Sequence, residues 1–190
     1  MRPLVGIFVG GQGRRMGGVA KGLMRPPSGE RSIVDRLVTI AQDALGDVDA
    51  VMVGDATSYS AVRLPALDDD PPGVGPLGGL AALLAEAERR GAPFAVALAC
   101  DLPFVTTALL GRVVGVDAVA VVPRAGEHLQ PLCARYAPSF RSAAQAVLSG
   151  GKRSLHAVLD AIGDDLHVIE LTAAESVAVE DWDTPEDVTR

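Results

Sequence analysis

The sequence predicts an α/β fold: a mostly parallel sheet with helices on both faces. Three observations predict it. Short runs rich in Val, Leu and Ala recur at 4–9, 48–53 and 94–99, the pattern of strands buried on both faces. Segments of helical period alternate with those runs, as crossover connections require. The first run breaks into glycine at Gly10, and open α/β sheets place ligand-binding loops at the C-terminal ends of their strands.

The elements follow in order. After the strand at 4–9 and the glycine stretch, Arg25-Pro26-Pro27-Ser28-Gly29-Glu30 is rich in turn residues. Ser32 and Asp35 make a capping box with aspartate for the usual glutamate, and apolar residues at 33, 34, 37, 38, 40, 41, 44 and 45 give one face of a helix. A second strand is expected at 48–53 and a loop at 65–76. The Ala- and Leu-rich segment 77–90 ends in Arg89-Arg90 and is stopped by Gly91, a helix with its C-cap. A third strand at 94–99 runs into Cys100-Asp101-Leu102-Pro103, and Thr106 or Thr107 caps a helix to about 114. Beyond it a fourth strand is expected at 117–122, a polar loop at 123–129 and a strand at 130–136. Helices are expected at 139–148 and 154–162, and strands at 166–171 and, briefly, at 177–179. A last helix begins at Asp183 or Thr184 with Pro185 just inside it.

The chain of 190 residues reads as one domain; the alternation is regular over 1–116 and loosens over 117–190, as though the second part were a smaller substrate-binding region. Hydrophobic residues make up 48% and aromatics only 4%, so the core is built from Val, Leu and Ala. A net charge of −7 argues against a nucleic-acid surface. Cys100 and Cys133 both lie in apolar runs and read as small core residues rather than a disulfide or metal site. No apolar run reaches a membrane-spanning length and no signal-type segment is visible, so a cytoplasmic location is expected.

Residues 10–18 hold five glycines interleaved with Arg14 and Arg15, and Lys21 follows. Glycine lets backbone N–H groups approach a ligand, and the cations add full charge, which together suit a phosphate chain. It is not a P-loop: Ala20 precedes Lys21 and Gly22 follows it, so the required glycine and hydroxyl are missing. Nor is it a dinucleotide fingerprint, because Gly11-Gln12-Gly13-Arg14-Arg15-Met16 lacks the third glycine.

The stretch resembles the signature of the molybdenum cofactor guanylyltransferases, nucleotidyltransferases of Rossmann-like, glycosyltransferase-A-like fold. That signature is approximately L-A-G-G-x-x-x-R-M-G-x-x-D-K-x-L. Here it reads Phe8-Val9-Gly10-Gly11, then Arg15-Met16-Gly17, then Ala20-Lys21-Gly22-Leu23. Phe8 and Val9 replace Leu-Ala, and Ala20 replaces a carboxylate beside the lysine. The resemblance implies that Phe8, Val9, Gly10, Gly11 and Lys21 bind nucleotide, and that Arg15 and Lys21 neutralise charge on the transferred group and pyrophosphate.

Three further segments extend it. Cys100-Asp101-Leu102-Pro103 resembles the family's x-x-D-x-P element, which implies that Asp101 holds Mg²⁺; a turn-capping aspartate is the competing role. Asp68-Asp69-Asp70 with Gly75-Pro76-Leu77-Gly78-Gly79 resembles D-x-x-P-G-x-G-P-L-x-G. Alignment on Pro72-Gly73 selects Asp69, with Asp68 the alternative, and puts Gly78 at the nucleotide; a solvated acidic loop competes. The segments around His128 and Gln130 and around Lys152-Arg153 resemble the acceptor side, with His128, Gln130 and Arg153 as contacts for an anionic pterin; solvated or helix-flanking charges compete. Asp181-Trp182-Asp183-Thr184-Pro185-Glu186 stands where the family usually has N-x-N-T-P-E. Asp183 is therefore a candidate second Mg²⁺ ligand, with a helix N-cap the competing role.

The implied activity is guanylyl transfer from GTP to the phosphate of molybdopterin or its molybdenum form, with release of pyrophosphate and Mg²⁺ as cofactor. No nucleic acid or membrane is implied, and contact with other molybdenum cofactor biosynthesis and target enzymes would be transient. The rivals are cytidylyl transfer to the same pterin, nucleotidyl transfer to another small phosphorylated acceptor, and a non-catalytic nucleotide-binding delivery protein.

Overall fold

The computed structural model describes residues 1–9, 20–26, 29 and 31–182. Among the described residues eight strands form one sheet: β1 (Leu4–Phe8), β2 (Asp49–Val53), β3 (Ala66–Leu67), β4 (Ala95–Ala99), β5 (Ala120–Ala125), β6 (His128–Leu129), β7 (Cys133–Tyr136) and β8 (Leu166–Leu171). The helices are α1 (Ile33–Leu45), α2 (Pro76–Arg90), α3 (Thr107–Val114), α4 (Phe140–Ser149), α5 (Leu155–Ile162) and the single turn α6 (Ala173–Ser176).

Strand β1 lies between β2 and β4, parallel to both, and β3 extends β2 in parallel. Strand β7 is inserted antiparallel between β4 and β5, while β8 pairs in parallel along the whole of β5. Because β8 occupies one side of β5, β6 and β7 share the other, as two parts of one interrupted antiparallel strand. The sheet is thus mostly parallel, with β6 and β7 running against the rest.

Alternation along the strands explains the layers. Val5, Ile7 and Val9, Met52, Val96 and Leu98 face one side, where α1 and α3 pack through Leu37, Ile40, Leu109 and Leu110. Leu4 and Phe8, Val51 and Val53, Ala95 and Ala97 face the other, covered by α2, α4 and α5 through Leu80, Leu84, Phe140 and Val158. Gly6 lets Leu83 close on β1: a Cβ there would stand 2.6 Å from the Leu83 side chain.

Local signals account for the helix ends. Ser32 accepts the Asp35 N–H, and Thr106 accepts the Leu109 N–H. The Asp35 carboxylate accepts a hydrogen bond from the Ser32 hydroxyl at 2.7 Å, one methylene short of the backbone contact that glutamate makes in a full box. Gly91 closes α2 in the left-handed conformation at φ +65°, with its N–H on the Glu88 carbonyl.

The structure corrects several expectations. The loop at 65–76 contains β3, made by main-chain bonds to β2, and α2 begins at Pro76. The fourth strand is shifted to Ala120–Ala125 and runs through Pro123, so the supposed loop at 123–129 is mostly a hairpin turning at Gly126. Pro123 is tolerated because it sits where the β6–β7 ladder is interrupted; only its carbonyl is used there, by the Gln130 N–H at 2.8 Å. The strand expected at 130–136 is confined to Cys133–Tyr136, because the Cys133 N–H turns back onto the Gln130 carbonyl. Residues Val177–Val179 form a 3-10 turn, not a strand. They continue α6, whose Thr172 and Glu175 make the complete capping box that the sequence reading passed over. The helix expected from Asp183 or Thr184 lies outside the described residues. Among the described residues no helix is long and apolar enough to cross a membrane.

Candidate active site

Strand order brings the exits of β1 and β4 side by side at the C-terminal rim, in the register Phe8↔Ala99. Phe8 and Val9 are 7% and 4% exposed, so their side chains belong to the two core layers. The Val9 N–H is taken by the Val53 carbonyl, and the Phe8 carbonyl by the Cys100 N–H. Gly10, Gly11, Arg15 and Asp183 lie outside the described residues.

The chain returns to the rim at a 3-10 turn, Lys21–Leu23. The Lys21 Nζ stands 3.4 Å from the Asp101 Oδ2, although the two residues are 80 apart in sequence. Both side chains are partly open to solvent, 15% for lysine and 26% for aspartate. Burial pushes the Asp101 carboxyl above its ordinary range; Lys21 opposes that shift and the charge of Asp181 adds to it. Asp181 is brought there by the chain that follows α6, where the Trp182 N–H donates to the Asp101 carbonyl at 2.9 Å. Trp182 anchors this contact: it is 1% exposed and packs edge-on to Phe104.

The turn that carries Lys21 is seated by its neighbour. Gly22 is buried against Val34, Tyr59 and Cys100; a Cβ on it would stand 2.7 Å from the Val34 side chain and 3.0 Å from each of the others. Its N–H donates to the Tyr59 hydroxyl at 3.2 Å, and that hydroxyl lies 3.6 Å from the Cys100 Sγ. Burial raises the Cys100 thiol to about 11 and the Cys133 thiol to about 12, so both are neutral core groups, as expected.

Asp69 comes to the other flank of β1. Asp68 and Asp70 are exposed, whereas Asp69 turns inward over the first turn of α2. A Cβ on Gly79 would lie 2.8 Å from Val53, and 3.0 Å both from the Asp69 Oδ1 and from the Phe8 ring. Burial, and then the charge of Asp68, raise the Asp69 carboxyl from its ordinary value. Gly78 is itself buried beneath the same loop: a Cβ there would stand 2.5 Å from the Pro71 carbonyl oxygen. The Asp70 N–H donates to the Gly78 carbonyl at 3.2 Å, so the glycine admits the loop and the loop aims Asp69.

His128 and Gln130 stand at the same rim, farther along. His128 pairs with Ala125 at the end of β5, and the Ala99 N–H donates to Leu132 just after Gln130. His128 is exposed and Gln130 half-buried. Arg153 is exposed on the turn between α4 and α5. Helix α4 starts near the far end of α2, where Arg141 bonds Glu88 at 2.6 Å.

Sequence reasoning missed Tyr59, Gly22 and the closeness of Asp181 to Asp101. Asp181 was visible in its motif, two residues before Asp183, the aspartate singled out. Tyr59 carried no local signal beyond a lone aromatic in a polar segment.

The donor set is two carboxylates, Asp101 and Asp181, with an ammonium at 3.4 Å from the first. Mg²⁺ takes one or two carboxylates and completes its octahedron with water and phosphate oxygens, so these residues fit it. Among the described residues no group of three or more His, Cys, Asp or Glu side chains forms a closed cage.

A family model described as the MobA-like NTP transferase domain matches residues 5–165. The molybdenum cofactor guanylyltransferase of Xanthomonas euvesicatoria pv. vesicatoria is 30% identical over 192 residues, covering 100% of this chain and 94% of that protein. A protein of Mycobacterium bovis named "Probable molybdenum cofactor guanylyltransferase" is 30% identical over 172 residues, covering 88% of this chain and 84% of its own length. The crystal structure of molybdopterin-guanine dinucleotide biosynthesis protein A from Archaeoglobus fulgidus superposes with a TM-score of 0.74 over 98% of this chain and 95% of that one; at 22% identity it speaks to the fold.

Proposed function

We propose, from the premise that this chain belongs to the MobA-like NTP transferase family, that it transfers GMP from GTP to the phosphate of molybdopterin and releases pyrophosphate. The observation that carries the reading is the Lys21–Asp101 pair, 3.4 Å apart and partly open at the rim where β1 and β4 end. An ammonium and a carboxylate held together there suit a polyphosphate and its divalent cation.

In the proposed reaction an oxygen of the acceptor phosphate attacks the α-phosphorus of GTP in line. A P–O bond forms to the acceptor, the bond between the α-phosphorus and its bridging oxygen breaks, and pyrophosphate leaves with the electron pair. The attacking phosphate is already ionised near neutral pH, so no residue need remove a proton. Lys21 supplies positive charge to the phosphates, and more of it as charge moves onto the leaving group. Asp101, with Asp181 beside it, would hold Mg²⁺, which when bound supplies neutralisation of phosphate oxygens. Gly10, Gly11 and Arg15 are assigned to the phosphates by resemblance. Asp69 is assigned to the nucleotide, with Phe8 and Val9 forming the floor from which the glycines depart. Gly78 serves by letting the Asp69 loop seat on α2. His128, Gln130 and Arg153 are assigned to the acceptor.

Pyrophosphate release from GTP, CTP, ATP and UTP, with molybdopterin and Mg²⁺ present, tests the reading. GTP is expected to be the preferred donor. Preference for CTP would assign cytidylyl transfer, and nucleotide binding without any pyrophosphate would assign a delivery protein.

A further inference from the structure

Tyr59 belongs to none of the motifs that mark the rim. It ends the 3-10 turn Thr57–Tyr59 beyond β2, a turn braced by Asp55, whose carboxylate accepts the Thr57 N–H at 3.0 Å and the Thr57 hydroxyl at 2.6 Å. The ring is 3% exposed among the side chains beneath α1. A phenylalanine would satisfy that packing. A buried hydroxyl costs free energy unless it is paired, and this one has two neighbours. It accepts the Gly22 N–H at 3.2 Å and lies 3.6 Å from the Cys100 Sγ, to which it can give its own proton.

Those two neighbours are one residue away from Lys21 and Asp101. The Gly22 N–H belongs to the peptide that joins Gly22 to Lys21, and Cys100 immediately precedes Asp101. The turn that carries Lys21 is only three residues long, with the Leu23 and Met24 N–H groups bonded back at 2.9 Å each. One turn lacks the cooperative ladder of a long helix. Gly22 cannot gain a side chain to anchor itself, since a Cβ would already meet Val34 at 2.7 Å.

We propose that Tyr59 is a positioning residue: its hydroxyl ties the Lys21–Gly22 peptide to the Cys100–Asp101 segment and thereby sets where the Lys21 ammonium stands relative to the Asp101 carboxylate. The kinetic consequence rests on the nucleotidyl-transfer reading; the tether itself is read without turnover.

The test is Tyr59→Phe in the full chain, which keeps the ring and removes the tie. Gly22 amide hydrogen exchange is expected to quicken by about fivefold or more, the worth of one hydrogen bond. With the parent's preferred nucleotide, kcat is expected to fall by about tenfold or more, because small misplacement of a charged group is costly in the transition state, while KM for the nucleotide stays within about twofold. The folded fraction at the assay temperature is expected to match the parent. Unchanged Gly22 exchange overturns the tether. Unchanged kcat in an active parent, or a loss of kcat that only follows the loss of folded protein, overturns the positioning role. A parent that releases pyrophosphate from no nucleotide refutes the transfer reading instead, and the tether then stands or falls on Gly22 exchange alone.

Discussion

Replacing Gly78 by alanine and Gly111 by alanine is the same change in two helices, and the structure predicts opposite signs. Both residues lie inside helices, α2 and α3, and neither has a positive φ. On propensity alone each substitution should stabilise by about 0.5–1 kcal/mol. Around Gly111 a new Cβ meets nothing within 4 Å, so that gain is expected in full. At Gly78 the Cβ would stand 2.5 Å from the Pro71 carbonyl oxygen and 2.7 Å from a Val74 methyl. The first is a backbone atom of the loop laid on α2, so the loop must lift. Overpacking costs roughly 1–3 kcal/mol, and a clash with a backbone atom belongs in the upper half of that range, so after the helix gain a net loss of about 1–2.5 kcal/mol remains. For a chain of this size that lowers Tm by about 2–10 °C, whereas Gly111→Ala raises it by about 1–4 °C. The lifted loop also carries Asp69, so Gly78→Ala should raise KM for the nucleotide while Gly111→Ala leaves kinetics unchanged. Thermal and urea unfolding beside steady-state pyrophosphate release measure both. A Gly78→Ala protein as stable as the parent would refute the close approach of loop and helix from which Asp69's placement is argued.

Asp101→Ala is expected to abolish Mg²⁺-dependent turnover while leaving unfolding little changed, since its carboxylate faces the rim; near-normal activity would remove it from the metal site. Lys21→Ala should lose far more kcat than nucleotide affinity, and an equal loss of affinity with the bound-state rate intact would mean that it anchors only ground-state phosphate. Asp69→Asn should cost GTP roughly 1–3 kcal/mol and narrow its advantage over CTP, whereas Asp68→Asn, on an exposed carboxylate, should be nearly silent. Equal effects at both positions would show that neither reads the base. Glu86 bonds Arg89 through both carboxylate oxygens at 2.6 Å and Arg90 at 2.7 Å, and these contacts, Arg89 first, lower its carboxyl to about 2. A depressed folded-state value means that its contribution is complete above the ordinary carboxyl range near 4.5 and fades as pH falls towards 2. Glu86→Gln should therefore cost about 1 kcal/mol at pH 7 and little at pH 2, read from urea unfolding at the two pH values.

Much of the fold and part of the site were legible locally. The apolar strand breaking into glycine, the Ser32 and Thr106 caps and the Gly91 stop each depend on residues within a few positions of one another, so short-range sterics and hydrogen bonding specify them. Alternation told which strand residues face which layer. Asp101, at the end of an apolar strand, was bound to stand at the rim.

What the neighbourhood of a residue leaves open was settled by long-range contacts. Three successive aspartates have the same local chemistry; only the bare surface at Gly78 and Gly79 turns Asp69 inward and leaves Asp68 and Asp70 in solvent. The β5 strand tolerates Pro123 because the missing N–H falls at the break between β6 and β7, a register that only the folded hairpin and its return strand define. The antiparallel insertion of β7 between β4 and β5 brings His128 and Gln130 to the rim that holds Asp101. Lys21 meets Asp101 across 80 residues, on a turn seated by a tyrosine 37 residues beyond Gly22. Strand pairing and side-chain burial are satisfied over the whole chain at once, so composition and period state which groups must be buried or bonded, and tertiary packing alone selects their partners.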